Sequence, residues 1–277
     1  MAKGTGLIGN FKGKVGNTVG YKLSASNNGQ TQGIRVYQPI VKNPKTAAQA
    51  EQRAKLLAVN ATYRALKMVI DRGNEGLPYG NKSRLAWLKS ALKATEMPWI
   101  EKGMPVTAPV GCQLSKGSLG GVVFSVAEDI VYLNCSGITG EETISTIGAL
   151  STKLLAGYPS LKAGDQVTVV AVGPVQGGIM ANVMSFVIDT TSAENISGLE
   201  LASGKIGFTS LDNVTAGAII VSREGANGEH LRSNATLVID ATAAAAAPYD
   251  AASKTAAIAS YQASAANNSD WAEESIQ

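Results

Sequence analysis

Between Asn43 and Gly73 the chain carries its longest helical pattern, and any fold it adopts must house that helix. Asn43 suits an N-cap and Pro44 the first helical position, where a missing backbone N–H costs nothing, while Gly73 would stop the helix. The pattern predicts a helix over 44–72, roughly 40 Å long at ~1.5 Å per residue. Leu56, Val59, Tyr63, Leu66 and Ile70 recur at helical spacing as a stripe of large side chains, and Ala50, Ala54, Leu57, Ala61, Ala65 and Met68 form a smaller stripe opposite. A helix apolar on two sides is packed on two sides. The large stripe, from Leu56 to Ile70, is therefore expected to form an interface that serves the chain's own domain and another subunit.

A second helix is expected over 82–95, with Leu85, Leu88 and Leu92 on one face and Trp87 beside them. Pro98, Pro105 and Pro109 mark a linker over 96–111. From Gly117 the pattern changes to short β-rich runs at 122–126, 130–134, 166–172, 180–188, 218–222 and 235–239, separated by turn residues at sandwich-like spacing, with one short helix over 146–156. Upstream, residues 1–41 are punctuated by glycine, and β-leaning runs at 18–23 and 33–40 flank the turn signal Asn27-Asn28-Gly29, which predicts a hairpin arm. The last stretch begins with an alanine run and has high helix propensity but little apolar side chain, so it reads as a docking helix or a frayed tail. The fold class expected is α+β: an N-terminal hairpin arm and two helices in 1–105, a mainly antiparallel sandwich-like β domain in 106–240, and an Ala-rich helix or tail in 241–277. Aromatic residues make up only 5% of the chain while Gly contributes 30 residues, which favours close backbone approach over a bulky core.

The net charge of +3 hides a division. Residues 1–116 hold 18 Lys and Arg against 5 carboxylates, a balance of +13, whereas 117–277 hold 6 against 16, a balance of −10. Such asymmetry points the first half toward a polyanion, an acidic neighbour or the chain's own acidic half. Lys12, Lys14, Lys22, Arg35, Lys42, Lys45, Arg53, Arg64 and Lys67 are the candidate nucleic-acid contacts, with Lys55, Lys82, Arg84 and Lys89 extending the surface and Tyr21, Tyr37, Tyr63 and Trp87 interleaved. Lys and Arg suit sequence-independent phosphate contact, and aromatic rings can stack on unpaired bases. The same surface also suits an acidic protein neighbour.

Catalytic and cofactor motifs fail on context. Gly4-Thr5-Gly6-Leu7-Ile8-Gly9 matches the dinucleotide string, but that loop must follow a buried strand, and only three residues precede it. Gly13-Lys14 lacks the earlier glycine and the following Ser or Thr of a phosphate loop. No nucleophile elbow is present, and His230, the only histidine, sits beside a Gly-rich turn. Glu128-Asp129 and Glu141-Glu142 read as solvated turns. Cys112, Cys135 and His230 are too few for a zinc site. The N-terminus lacks a signal-peptide pattern and no run approaches the ~18 apolar residues of a membrane span, so the cysteines are expected as buried thiols. The expectation is no catalytic residue, metal, cofactor, small-molecule substrate or membrane partner.

The ordered string Gly13-Lys14-Val15-Gly16-Asn17, Val19-Gly20, Ile34-Arg35, Lys42-Asn43-Pro44-Lys45-Thr46, Gln49, Gln52-Arg53 resembles the N-terminus of an uncharacterised family of small proteins from Bacteroides-group bacteria and their phages. Leu114-Ser115-Lys116-Gly117-Ser118-Leu119 and Leu161-Lys162-Ala163-Gly164-Asp165-Gln166-Val167-Thr168 are weaker, later matches. The resemblance implies a phage or prophage product associated with the virion. The function expected is that of a non-enzymatic structural protein mediating subunit assembly, located in the virion or the host cytoplasm, with copies of itself, other virion proteins or DNA as partners. The alternative is a free, sequence-independent nucleic-acid-binding accessory protein.

Overall fold

The computed structural model describes residues 13–22, 32–37, 46–94, 97–140, 144–209, 214–226, 228–240 and 248–263. The chain divides into two compact units, 1–44 and 45–277.

The first unit is a three-stranded antiparallel sheet in which β1 (Gly13–Val15), β2 (Thr18–Lys22) and β3 (Gln32–Val36) lie in sequence order. The expected hairpin is β2 with β3, in register from Thr18↔Val36 to Lys22↔Gln32, and β1 adds a strand through the two-residue turn Gly16-Asn17. Asn27-Asn28-Gly29 lies outside the described residues.

The second unit has an α+β fold. It contains α1 (Ala47–Ala65), α2 (Lys67–Ile70), α3 (Asn81–Ala91), β4 (Gln113–Ser115), β5 (Phe124–Ala127), β6 (Ile130–Asn134), α4 (Ile147–Gly157), β7 (Gln166–Val175), β8 (Gly178–Val187), β9 (Leu199–Ala202), β10 (Lys205–Phe208), β11 (Ala216–Glu224), β12 (His230–Arg232), β13 (Ala235–Thr236), β14 (Val238–Ile239) and α5 (Ala251–Ala263). One antiparallel sheet runs β12-β11-β7-β8 with β14 also on β11, a second runs β5-β6-β10-β9, and β4 pairs with β13. The acids Glu128 and Asp129 form the two-residue β5–β6 turn at positive φ, as the primed hairpin turns require.

The central sheet is buried on both sides, which explains why β7 and β11 read as nearly continuous apolar runs. Alternation sends Val167, Val169, Ala171, Ile219 and Val221 to one face, where they meet Val131, Leu133, Ile206 and Phe208 of the other sheet and Leu150 and Leu154 of α4. The opposite face, with Val170, Val172, Ala218 and Ile220, meets Val59, Leu66, Ile70 and Trp87 of the helices. Gly217 lets the two sheets close: a Cβ there would stand 2.4 Å from Val131 Cγ2 and 3.3 Å from Val126 Cγ2.

Several expectations change. The 96–111 segment is no boundary between modules, because Met97, Ile100, Val106, Ala108 and Cys112 are buried in the same core as the helices and β11. Its prolines shape an extended strap whose apolar residues turn inward. The long helix is capped by Thr46, whose hydroxyl accepts from Gln49 N at 3.3 Å; Asn43 and Pro44 lie outside the described residues. The helix breaks at Leu66, one turn after the Thr62 hydroxyl donates to Ala58 O at 2.9 Å and competes with the helical ladder.

The faces of the helices also differ from the pattern. On α1 the fully buried positions include Ala50, Ala54 and Ala58, while Leu56 is exposed, as is Met68 on α2. Small side chains permit close approach by α5, so the second apolar side is covered by the chain's own C-terminal helix, while β8 lies against α1 as well. On α3 the buried residues are Ser83, Trp87 and Ala91, and Leu85 and Leu92 face outward. The Ser83 hydroxyl, which donates to Ile70 O at 3.0 Å and accepts from Asn74 Nδ2 at 3.1 Å, ties this helix to the turn after α2. The Ala-rich tail is thus a docked helix over Ala251–Ala263: Lys254 reaches Glu51 at 3.3 Å, Tyr249 OH donates to Ala108 O at 3.0 Å, and Ala257 is buried. No helix among the described residues is long and apolar enough to cross a membrane.

Candidate nucleic-acid interface

Of the nine candidate cations, Lys12, Lys42, Lys45 and the side chain of Lys22 lie outside the described residues. Lys14 and Arg35 are exposed on the arm, with Lys14 Nζ 3.6 Å above the Tyr37 ring centroid. Arg53 is half-buried on α1, Arg64 is exposed in its last turn, and Lys67 is exposed on α2.

At the junction of α1, α2 and α3 the sequence places Tyr63, Lys67, Asp71 and Arg84 around one another. Lys67 Nζ meets Asp71 Oδ2 at 2.6 Å, Tyr63 OH donates to Asp71 Oδ1 at 2.9 Å, and the Arg84 guanidinium sits 4.7 Å over the Tyr63 ring, which in turn leans on Trp87. Burial pushes the Asp71 carboxyl upward, but the bonds from Lys67 and Tyr63 outweigh it and hold the group below its ordinary value. Lys67 is correspondingly raised by Asp71. Half of this basic cluster is thus internally neutralised.

A second cluster was not among the candidates. Arg72 lies 5.4 Å from the Tyr79 ring centroid, and Tyr79 faces His230 at 6.0 Å between rings. His230 and Arg232 are two apart on β12, so alternation puts both on the side of the sheet that carries the helices. Arg232 is half-buried, and its guanidinium forms no hydrogen bond or ion pair among the described residues. Burial, and then the positive Arg72 nearby, depress it below the ordinary arginine value, with Tyr79 opposing. A cation in this setting is short of an anionic partner. Glu224 is directly across the ladder from His230 and tempers the local charge.

Glu75 builds this corner. Its carboxylate accepts from Ser118 N at 2.9 Å, Ser118 Oγ at 2.9 Å and Arg232 N at 3.1 Å, so one side chain ties the turn after α2 to the 117–119 segment and β12. The Ser118 N–H, then Arg232 N–H and the Ser118 hydroxyl, hold Glu75 below its usual carboxylate value. Gly117 is required at the crossing, because a Cβ would meet Arg232 O at 2.1 Å and Glu75 Oε2 at 2.5 Å.

The proposed inter-subunit stripe is corrected by burial: Val59, Leu66 and Ile70 are in the chain's own core, Tyr63 packs against it, and Leu56 alone is exposed. Cys112 and Cys135 are free and buried, burial pushing the Cys112 thiol up to about 12. Among the described residues no group of His, Cys, Asp and Glu is arranged to hold a metal ion. Where α5 meets the 99–108 strap there is a largely apolar cavity of about 660 Å³ with Glu101 and Tyr249 as its ionisable lining residues.

Sequence reasoning missed Arg72, Tyr79, His230 and Arg232 because they come from two segments far apart in the chain. The i, i+2 spacing of His230 and Arg232 was the one local signal, and it means something only once the three-residue β12 is recognised as a strand. Comparison with family models finds no match for the chain, and comparisons with curated proteins and with solved structures find none either.

Proposed function

We propose that the chain is a non-enzymatic structural protein of a phage particle that mediates subunit assembly, its basic side facing nucleic acid or an acidic neighbouring protein. The observation that carries this reading is Arg232: a half-buried guanidinium with no partner among the described residues, near Arg72, Tyr79 and His230, fits an anion supplied from outside the chain. The resemblance of residues 13–53 to proteins of Bacteroides-group bacteria and their phages supports the virion context. Quantitative mass spectrometry of purified particles tests it: stoichiometric copies support the structural role, and absence from particles removes it.

The second reading, a free sequence-independent nucleic-acid-binding protein, is favoured by the arrangement of Arg84 over Tyr63 beside Lys67. In that case the full chain binds single-stranded DNA with a log–log salt slope of about −0.7 per phosphate neutralised. The R72A/R232A variant should lower that slope by about 1 to 2, and no binding at low salt rejects the reading.

A further inference from the structure

The 99–108 strap and the segment that carries α5 are fastened to each other along their length. Trp99 N donates to Pro248 O at 2.7 Å, Lys102 N to Ser260 Oγ at 3.2 Å, and Tyr249 OH to Ala108 O at 3.0 Å. Between these ties lies the cavity of about 660 Å³. On the helix side it is lined by Ala252, Ser253 and Ala256, and side chains that short on one turn of helix leave the space unfilled. Ile100 and Ala108 are buried in the opposite wall, whereas Glu101 and Met104, the latter 55% exposed, stand where solvent reaches. The fastened ends hold the walls in place before anything binds.

Thr107 supplies an independent observation. It lines the cavity, and its hydroxyl oxygen is buried with no hydrogen-bond partner among the described residues. A buried hydroxyl left unpaired is costly and calls for an explanation. A ligand that brings a donor or an acceptor to the wall provides one.

The lining also decides the ligand's charge. Glu101 is the one charged residue among the described lining residues, and it is exposed. Lys55 and Lys254 lie over the Trp99 ring and both pair with Glu51. An ion carried in to the buried wall would find no counter-charge there, so the ligand is uncharged. Trp99, Met104, Pro105 and Tyr249 offer rings and a thioether, surfaces on which flat aromatic molecules pack.

The geometry points to a small-molecule site: the cavity between the 99–108 strap and α5 takes an uncharged aromatic ligand of one or two rings that hydrogen-bonds the Thr107 hydroxyl. Its volume is in the ordinary range for such ligands, and a mostly apolar lining with one polar group to fix orientation is the usual design of their sites. The site goes beyond the assembly reading and does not depend on it. Particle proteomics can fail while the ligand binds, and the reverse.

The test is an amide NMR titration of the full-length chain with three probes that share one ring system. Indole carries an N–H donor, 1-methylindole lacks it, and indole-3-acetate adds a negative charge. Indole should shift Trp99, Thr107 and Ala256 together and saturate with a dissociation constant of about 1 mM or tighter. 1-Methylindole should bind ~5-fold more weakly, the worth of one net hydrogen bond, and indole-3-acetate more weakly than indole. In Thr107→Val, which keeps the shape and removes the hydroxyl, indole and 1-methylindole should bind alike, and the variant should melt no lower than wild type because the hydroxyl it loses is unpaired. Ala256→Leu, at an exposed helical position, should weaken indole binding by ~10-fold or more by obstructing the cavity, with an unchanged melting curve. Absence of a saturable shift up to ~10 mM indole overturns the proposal. So does equal affinity of the wild type for indole and 1-methylindole, binding of indole-3-acetate as tight as that of indole, or undiminished binding by a folded Ala256→Leu protein.

Discussion

Asp165 has no exposed surface, and its charge is matched by Arg223, which donates from Nε to Oδ1 at 2.6 Å and from Nη2 to Oδ2 at 2.7 Å; Lys162 N adds a third bond at 2.8 Å. Removing the guanidinium leaves the buried carboxylate with a backbone bond but no counter-charge, which costs about 3–5 kcal/mol. Arg223→Ala should therefore show that loss in urea unfolding, whereas the paired change D165N/R223M should lose distinctly less. Glu75 provides a pH signature. Its folded-state value lies below the ordinary 4.5, so its contribution is complete above that value and is lost as pH falls through the folded one. The stability difference between wild type and Glu75→Gln, followed by denaturation from pH 7 to 3, should shrink toward acid. Neither contact was visible in the sequence, since Asp165 and Arg223 belong to segments joined only by the β7–β11 ladder. What could be read locally were Thr146 at a helix start and the Glu128-Asp129 turn, whose roles depend on their immediate neighbours alone.

The elements recovered from the pattern are those with enough repeats to average over. β6, β7, β8, β11 and α4 fall within a few residues of expectation because each carries at least five residues of one period. β4, β9, β10 and β12, at three or four residues, do not. Helix faces were misread for a different reason: side-chain size was taken as the mark of burial, but α1 and α3 bury alanine and serine so that neighbouring backbones can approach. A chain ending at residue 247 should lose the cover of α5 over α1 and melt at a lower temperature by circular dichroism. Gly217→Ala should cost about 1–3 kcal/mol by forcing the sheets apart at Val131, measurable as a reduced urea midpoint at unchanged m-value.

The charge division along the chain suggested two modules, but the second unit packs its basic helices and its acidic strands around shared cores. Val59, Ile70 and Trp87 are buried against Val170 and Ile220, residues that lie beyond the proposed 105/106 boundary. In a fragment comprising 45–105 the helices lose Val170 and Ile220, so it should lack the dispersed amide spectrum of a folded domain. The full chain's second unit should unfold in one cooperative transition, observed alike by tryptophan fluorescence and far-UV circular dichroism. Charge along a sequence records which surfaces will be wet, and says nothing about which buried surfaces will meet.

The central sheet's double burial also imposes an order in time. Within the second unit α1 leaves the ribosome first, yet the strands that cover one of its sides come more than a hundred residues later and the helix that covers the other later still. At ~5–20 residues per second the apolar side chains of α1 wait roughly ten to forty seconds for partners. The strands β7 and β8, adjacent in sequence, can close on each other well before β11 arrives. During synthesis this protein is therefore a hairpin and an unpartnered helix sharing one tether, and its yield in the cell depends on what shields that helix in the interval.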